Sequence, residues 1–237
     1  MIEMHFIETL EQILSTLRHE LGNSTNSMKI TLNVLRDNYD LFDDVKKKDY
    51  LKRMSVFVDR QQRLVEAMRS YKGSNLEEGE EISFPLFWKN LFVMTSNRLK
   101  NENVRLIHRL ETGPCLIKAN NMGLNKVMRN ILDNAIEAVE DINNPIVEST
   151  AMKKDGFILI QIKDNGCGIK DKDKSKIFIP LFSTKSGKMG MGLPIAHKFL
   201  LKMKGKIEID SVVGTGTEAR IWIRAVDDQK RTSKQSK

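Results

Sequence analysis

Long apolar runs, disulfide-forming cysteines and metal-ligand spacings are all scarce in this 237-residue sequence. No apolar run approaches the ~18–20 residues that a membrane helix needs. The longest candidate, residues 82–94, is broken by Pro85, Lys89 and Asn90, so no membrane insertion is expected. The opening MIEMHFIETLEQ lacks the basic start and apolar centre of a signal peptide. Two cysteines, Cys115 and Cys167, cannot build a disulfide framework, and a reducing cytoplasm is the expected location. Four scattered histidines (His5, His19, His108, His197) show no ligand spacing with them, which excludes a zinc finger. The net charge of +8 leaves nucleic acid open, but aromatics make up only 6% and no helix-turn-helix or RNA-binding signature accompanies the charge. Nucleic acid is therefore not the expected partner. With 40% hydrophobic and 30% charged residues, the composition is that of an ordinary folded chain of one or two domains.

Residues 4–72 contain no Pro and, apart from Gly22, no Gly. In the first part, Leu10, Leu14, Leu17, Leu21, Ser24, Met28, Thr31 and Leu35 alternate spacings of four and three, which is a heptad seam. Tyr50, Met54, Phe57, Gln61, Leu64, Met68 and Tyr71 repeat that spacing. The polar stretch Asp43–Lys48 is the expected turn of an antiparallel helical hairpin. A lone hairpin leaves half its seam uncovered, so pairing of two hairpins into a four-helix bundle predicts a homodimer. Residues 74–81 read as a linker after a hairpin domain of 1–73. From 82 to 226 the texture is mixed. Helices are expected over about 85–100 and 121–140, and strands over 104–107, 115–118, 146–152, 157–163, 206–210 and 218–224. Asp155-Gly156 is a hairpin turn between two of these. Strands and helices that do not simply alternate predict an α+β sandwich. The basic tail, 227–237, is expected to be disordered.

Three glycine clusters occupy the last third: Gly166-Cys167-Gly168, then Gly187 through Gly192, then Gly214-Thr215-Gly216. Such clusters are either flexible surface loops or backbone cradles for an anion, and the middle one opens a helix whose N-terminus adds partial positive charge. No Walker or Rossmann spacing is present. Asn130 and Asn134 stand at i and i+4, on one face of the 121–140 helix. They form either a solvated polar stripe or amide oxygens presented to Mg²⁺ beside nucleotide phosphates. Asp164, ending an apolar strand, either caps a turn or accepts a hydrogen bond from an adenine amino group.

In order and spacing, these segments resemble the boxes of sensor histidine kinases of two-component systems, over about residues 10–224. Asn130–Ala138 resembles the family's N box, Asp164–Ile169 its first glycine box and Ile177–Lys185 its F box. Gly187–Leu193 resembles the glycine-rich lid and Gly214–Thr217 the closing GTGT. Asn134-Ala135-x-Glu137-Ala138 and the short lid look most like the nitrogen-regulator-type subgroup. The resemblance implies the α/β sandwich shared with gyrase and Hsp90, with ATP and Mg²⁺ as cofactors. It implies that Asn134 and Asn130 hold the metal and that Asp164 reads adenine. Gly166, Gly168, Gly187, Gly190, Gly192, Leu193 and Thr217 would complete the nucleotide site. Ile136 and Glu137 stand where many relatives carry a basic residue, so phosphate neutralisation falls to Lys185 or Lys188.

Arg18-His19-Glu20-Leu21-Gly22-Asn23 resembles the H box and makes His19 the phosphoacceptor. A neutral imidazole is a nucleophile near physiological pH, and Glu20 is the expected proton acceptor. Asn23, four residues on, corresponds to a position that orients water for dephosphorylation of the regulator. Gly22 stands where relatives have a basic or polar residue and is a candidate bend; Ser24 replaces a common Pro. The reading is an autophosphorylating kinase that transfers phosphate to an aspartate of a response regulator receiver domain. Its alternatives are a scaffold that binds ATP without turnover and a serine kinase of the same fold. Regulator specificity is expected around Asn26, Lys29 and Arg69. Too few residues precede His19 for a sensor, so the signal is expected from a separate protein or a longer chain.

Overall fold

The computed structural model describes residues 2–72, 79–99, 103–185 and 188–226; the side chains of 2–14, 20, 67 and 70–72 are outside that description. Two compact units result, residues 1–73 with 179–191, and residues 74–178 with 192–237. The expected tail and most of the expected linker lie outside the described residues. Among the described residues, no helix is long and apolar enough to cross a membrane.

The first unit holds α1 (Ile2–Asp37) and α2 (Asp44–Lys72). Leu17, Leu35 and Leu64 are buried where the helices meet, and Ser24, buried among them, donates to the Phe57 carbonyl. Gln61 Nε2 donates to Thr25 Oγ1 at 3.0 Å, so a polar member of the α2 seam bonds a threonine beside the α1 seam. The turn lies earlier than the charge pattern predicted. It spans 38–43, and α2 already begins at Asp44. The reason is a cap: Asp43 Oδ1 accepts from Lys46 N at 2.7 Å and its carbonyl from Lys47 N at 3.0 Å. The lysines read as turn are thus the first turn of a helix, with Lys46 over Phe42 and Lys47 over Tyr39.

α1 runs unbroken through Gly22, with no bend assigned to it. A Cβ there would meet nothing within 4 Å. Gly22→Ala is therefore expected to stabilise the chain by about 0.5–1 kcal/mol, the helix-propensity difference, seen as a higher urea midpoint. A lower midpoint would mean that the helix surface at Gly22 is covered in solution.

The second unit is built on a five-stranded mixed sheet of order β2-β4-β5-β7-β6. Its strands are β2 (Arg105–Glu111), β4 (Ile146–Lys154), β5 (Phe157–Asp164), β6 (Lys206–Val212) and β7 (Gly216–Arg224). Only β2 and β4 are parallel; the other neighbours are antiparallel. A separate pair joins β1 (Glu80–Ser83) to β3 (Leu116–Ala119). β1 begins inside the stretch expected as linker, because Glu80 and Glu81 pair with Ala119 and Lys118. Asp155 (φ 50°) and Gly156 (φ 77°) both adopt the left-handed region that a two-residue hairpin turn between β4 and β5 requires.

Among its described residues the unit also holds α3 (Phe84–Arg98), α4 (Asn121–Ala138), the single turn α5 (Asp171–Lys174) and α6 (Gly192–Lys202). α3 carries Pro in its first turn and buries Phe84, Trp88, Leu91 and Phe92. Asn120 caps α4 by accepting from Gly123 N at 2.8 Å. Along α4, Leu124, Val127, Met128, Ile131 and Ala135 are buried at helical period, and the helix packs against β5 and α6. The facing sheet surface is set by strand period: Ile158, Ile160 and Ile162 on β5, and Ala219, Ile221 and Ile223 on β7. Burying each such isoleucine contributes about 1.5–3 kcal/mol.

Candidate functional site

The two-residue period that buries Ile158, Ile160 and Ile162 also turns Asp164, the last residue of β5, to the inner face, where it is 5% exposed. A buried carboxylate needs donors. Its Oδ1 accepts from Gly166 N at 2.9 Å and from Thr217 N at 3.2 Å. Thr217 is Asp164's register partner on β7, and Ser211 is Thr217's on β6. The three lie in one row across adjacent strands. Ser211 Oγ is 2.9 Å from Thr217 Oγ1, accepts from Ile169 N at 2.8 Å and donates to the Gly216 carbonyl at 3.0 Å. Sequence reasoning missed Ser211 by ending that strand at Asp210. The available signal was the parity of Ile207, Ile209 and Ser211.

The glycines beside Asp164 are dictated by close backbone approach. A Cβ on Gly166 would lie 2.4 Å from the Ala138 carbonyl oxygen, one on Gly168 2.2 Å from that of Val212, and one on Gly216 1.9 Å from that of Asp164. Their loop is tied inward, with Cys167 N donating to Ala138 O and Gly214 N to Cys167 O. The Gly166 N–H is committed to Asp164. These glycines thus position the carboxylate and the end of α4, a role the sequence pattern, open between a surface loop and an anion cradle, did not show. Asn165 pins the preceding loop, accepting from Ile146 N and donating to Asn144 O.

On α4, Asn130 and Asn134 are half-buried, which removes the reading of a freely solvated stripe. Asn130 Nδ2 donates to the carbonyl of Gly192, the first residue of α6, at 3.0 Å. This orients the amide and leaves Oδ1 as an acceptor. Leu193 follows Gly192 in α6. Between the two asparagines, Asp133 is held by Arg98 of α3 at 2.5 Å. Further along α6, His197 packs on Phe178, and burial pushes its imidazole below the usual histidine range. Among the described residues, no cluster of three His, Cys, Asp or Glu side chains could hold a metal.

Lys185, Lys188 and Gly190 lie on the 179–191 loop, which groups with the helical unit; Gly187 lies outside the described residues. Gly190 (φ 66°) closes that loop, since a Cβ would lie 2.1 Å from Phe182 O, and Leu181 N donates to Gly190 O. On α1, His19 and Asn23 are both exposed, with Asn23 Nδ2 3.2 Å from His19 Nδ1. The Glu20 side chain lies outside the described residues.

Residues 119–227, which hold α4, the Asp164 row and α6, match the family described as histidine kinase-, DNA gyrase B-, and HSP90-like ATPase. The match takes in a little under half of the chain, and the likeness is of that stretch. The second unit has an α+β fold, a mixed sheet carrying helices, of the kind found in that family. The signal transduction histidine-protein kinase AtoS of Escherichia coli (strain K12) is 24% identical over 216 residues, 91% of this chain and 35% of its own length. Sporulation kinase C of Bacillus subtilis (strain 168) is 24% identical over 234 residues, 95% of this chain and 51% of its own. The chain thus spans a third to a half of the length of these curated relatives. Histidine kinase ThkA, solved in complex with response regulator protein TrrA, aligns with a TM-score of 0.71 at 19% identity, over 93% of this chain and 63% of that one. A helical hairpin followed by an α+β domain therefore occurs here in the same fold and order.

Proposed function

We propose that this chain is the catalytic core of a sensor histidine kinase, which phosphorylates itself on His19 from ATP and passes the phosphoryl group to an aspartate of a response regulator. The observation that carries the reading is the exposed His19, hydrogen-bonded to Asn23 on a helical hairpin that precedes an ATPase domain. Asn23 Nδ2 faces His19 Nδ1 at 3.2 Å and donates to it in this arrangement. The attacking tautomer carries its proton on Nδ1, which Asn23 accommodates by presenting its amide oxygen instead, and Nε2 then carries the lone pair. Nε2 attacks the γ-phosphoryl, the bond to the bridging oxygen breaks, and ADP leaves. The imidazole proton passes to Glu20. Asn23 would also serve hydrolysis of the regulator's aspartyl phosphate by orienting water.

On the ATPase domain, Asp164 would accept from the adenine amino group, with Thr217 beside it. Gly166 and Gly168 bring the backbone close under the base, and Gly192 and Leu193 present the N-terminus of α6 to the phosphates. Lys185, Lys188, Gly187 and Gly190 belong to the lid. Mg²⁺ fits the donors present: Asn130 Oδ1 and the Asn134 amide are hard oxygen ligands, and with no metal-holding carboxylate cluster among the described residues the cation would share its shell with nucleotide phosphates. Bound there, it would neutralise charge developing on the transferred phosphoryl group.

The test is incubation with Mg²⁺ and γ-labelled ATP. Acid-labile, alkali-stable label on the chain is expected, chased by a receiver domain. Tight nucleotide binding with no label would favour a scaffold, and label on serine a kinase of the other kind. The reading also includes a homodimer. Leu32, Leu51, Val58, Val65 and Met68 of the hairpin are exposed in one chain, a face that a second hairpin would cover. Light scattering is expected to give about twice the 27.2 kDa of one chain. A monomer mass at micromolar concentration would refute the dimer.

A further inference from the structure

The polar row Asp164–Thr217–Ser211 contains more hydrogen bonds than its hydroxyl protons can serve in any arrangement but one. A serine hydroxyl has one proton and two lone pairs. One lone pair of Ser211 Oγ receives the Ile169 N–H at 2.8 Å. Its proton goes to the Gly216 carbonyl at 3.0 Å. Thr217 Oγ1, 2.9 Å away, must then be the donor into the second lone pair. Ser211 is 7% exposed, so leaving one of these bonds unmade has a real cost.

The consequence falls on Thr217. Its proton is spent on Ser211, so the rest of its oxygen offers lone pairs only. Its backbone N–H is committed to Asp164 Oδ1 at 3.2 Å. Carboxylate and hydroxyl, register partners on one sheet face, thus present acceptors side by side. We infer that Ser211 is a specificity-determining positioning residue, fixing Thr217 as an acceptor so that the site takes a 6-aminopurine and refuses a 6-oxopurine. An amino group donates to both acceptors. A carbonyl oxygen at the same place faces two acceptors and finds no donor, the kind of mismatch that discriminates strongly. The inference rests on the assignment of Asp164 to the base.

The experiment measures binding of the non-hydrolysable β,γ-imido analogues of ATP and inosine triphosphate, with Mg²⁺, to the full chain. Ser211→Ala frees the Thr217 proton to point at the base. The adenosine analogue is expected to bind about tenfold more weakly, the value of roughly one hydrogen bond. The inosine analogue is expected to hold or gain affinity, so the preference narrows by about that factor. Ser211→Thr, which keeps the hydroxyl, is expected to restore the preference. Thr217→Val removes the same acceptor, and on that background Ser211→Ala is expected to narrow the preference no further. Equal weakening of both analogues by Ser211→Ala, or an additive effect with Thr217→Val, would overturn the inference and leave Ser211 as a structural tie. Unchanged binding of both analogues by Asp164→Asn would instead overturn the base assignment beneath it.

Discussion

His19→Gln is expected to lower labelling by γ-labelled ATP to background, a loss of at least about a thousandfold, while nucleotide affinity stays within about twofold. Glutamine approximates the size of imidazole, but its amide nitrogen is conjugated with the carbonyl and offers no lone pair for in-line attack. Two other histidines have described side chains, and both are engaged with rings. His108 stacks on Phe92 at 4.4 Å, and His197 packs on Phe178 at 5.0 Å. His108 is exposed as well, but only His19 of these three pairs with an amide four residues along its helix. Affinity is spared because the Asn130 and Asp164 sites belong to the other unit. Full labelling of His19→Gln would remove His19 as the phosphoacceptor, and a parallel loss of nucleotide affinity would point to misfolding instead.

The second large effect is on stability. Gly216→Ala is expected to cost about 4 kcal/mol or more, a large part of the 5–15 kcal/mol that holds an ordinary domain folded. Two causes add. The φ of 129° is one that L side chains rarely adopt, and the new methyl would sit 1.9 Å from the Asp164 carbonyl oxygen in the centre of the sheet. Gly214→Ala separates them. Its φ is 74°, but a Cβ there meets nothing within 4 Å, so only the backbone strain of about 1–2 kcal/mol is expected. Urea midpoints of the two variants decide the matter. Equal losses would mean that the strands at Gly216 can part, and that the Asp164 row is looser than its hydrogen bonds imply.

Much of this arrangement is legible in the sequence, and what escapes has physical causes. The periodic run from Leu124 to Ala135 marks α4, and Asp155-Gly156 marks its hairpin, because both signals are local. β1 is not legible in Glu80-Glu81-Ile82-Ser83, since one apolar residue among acids becomes a strand only by pairing with β3. The turn of the hairpin is misplaced because a cap aspartate followed by three lysines looks like a solvated loop in composition. The glycine boxes are the instructive case. Their spacing leaves a surface loop and an anion cradle open, and it does not show that Gly166, Gly168 and Gly216 answer to carbonyls of Ala138, Val212 and Asp164, contacts that exist only when distant segments stack. Asn23 beside His19 was readable from the helical repeat alone, whereas Ser211 needed the register of β6 against β7.

The position of β6 at the rim of the sheet gives the polar row an uneven kinetic character. Rim strands open more readily than central ones, by local excursions far cheaper than global unfolding. Asp164 stands on the central β5, but the hydroxyl that orients its neighbour stands on β6. Each transient opening of β6 would release the Thr217 proton and erase the base preference for the lifetime of the excursion. A purine that needs the closed row would in turn hold β6 shut. On that inference, base discrimination would follow how often one rim strand breathes, and occupancy of the site would set that frequency.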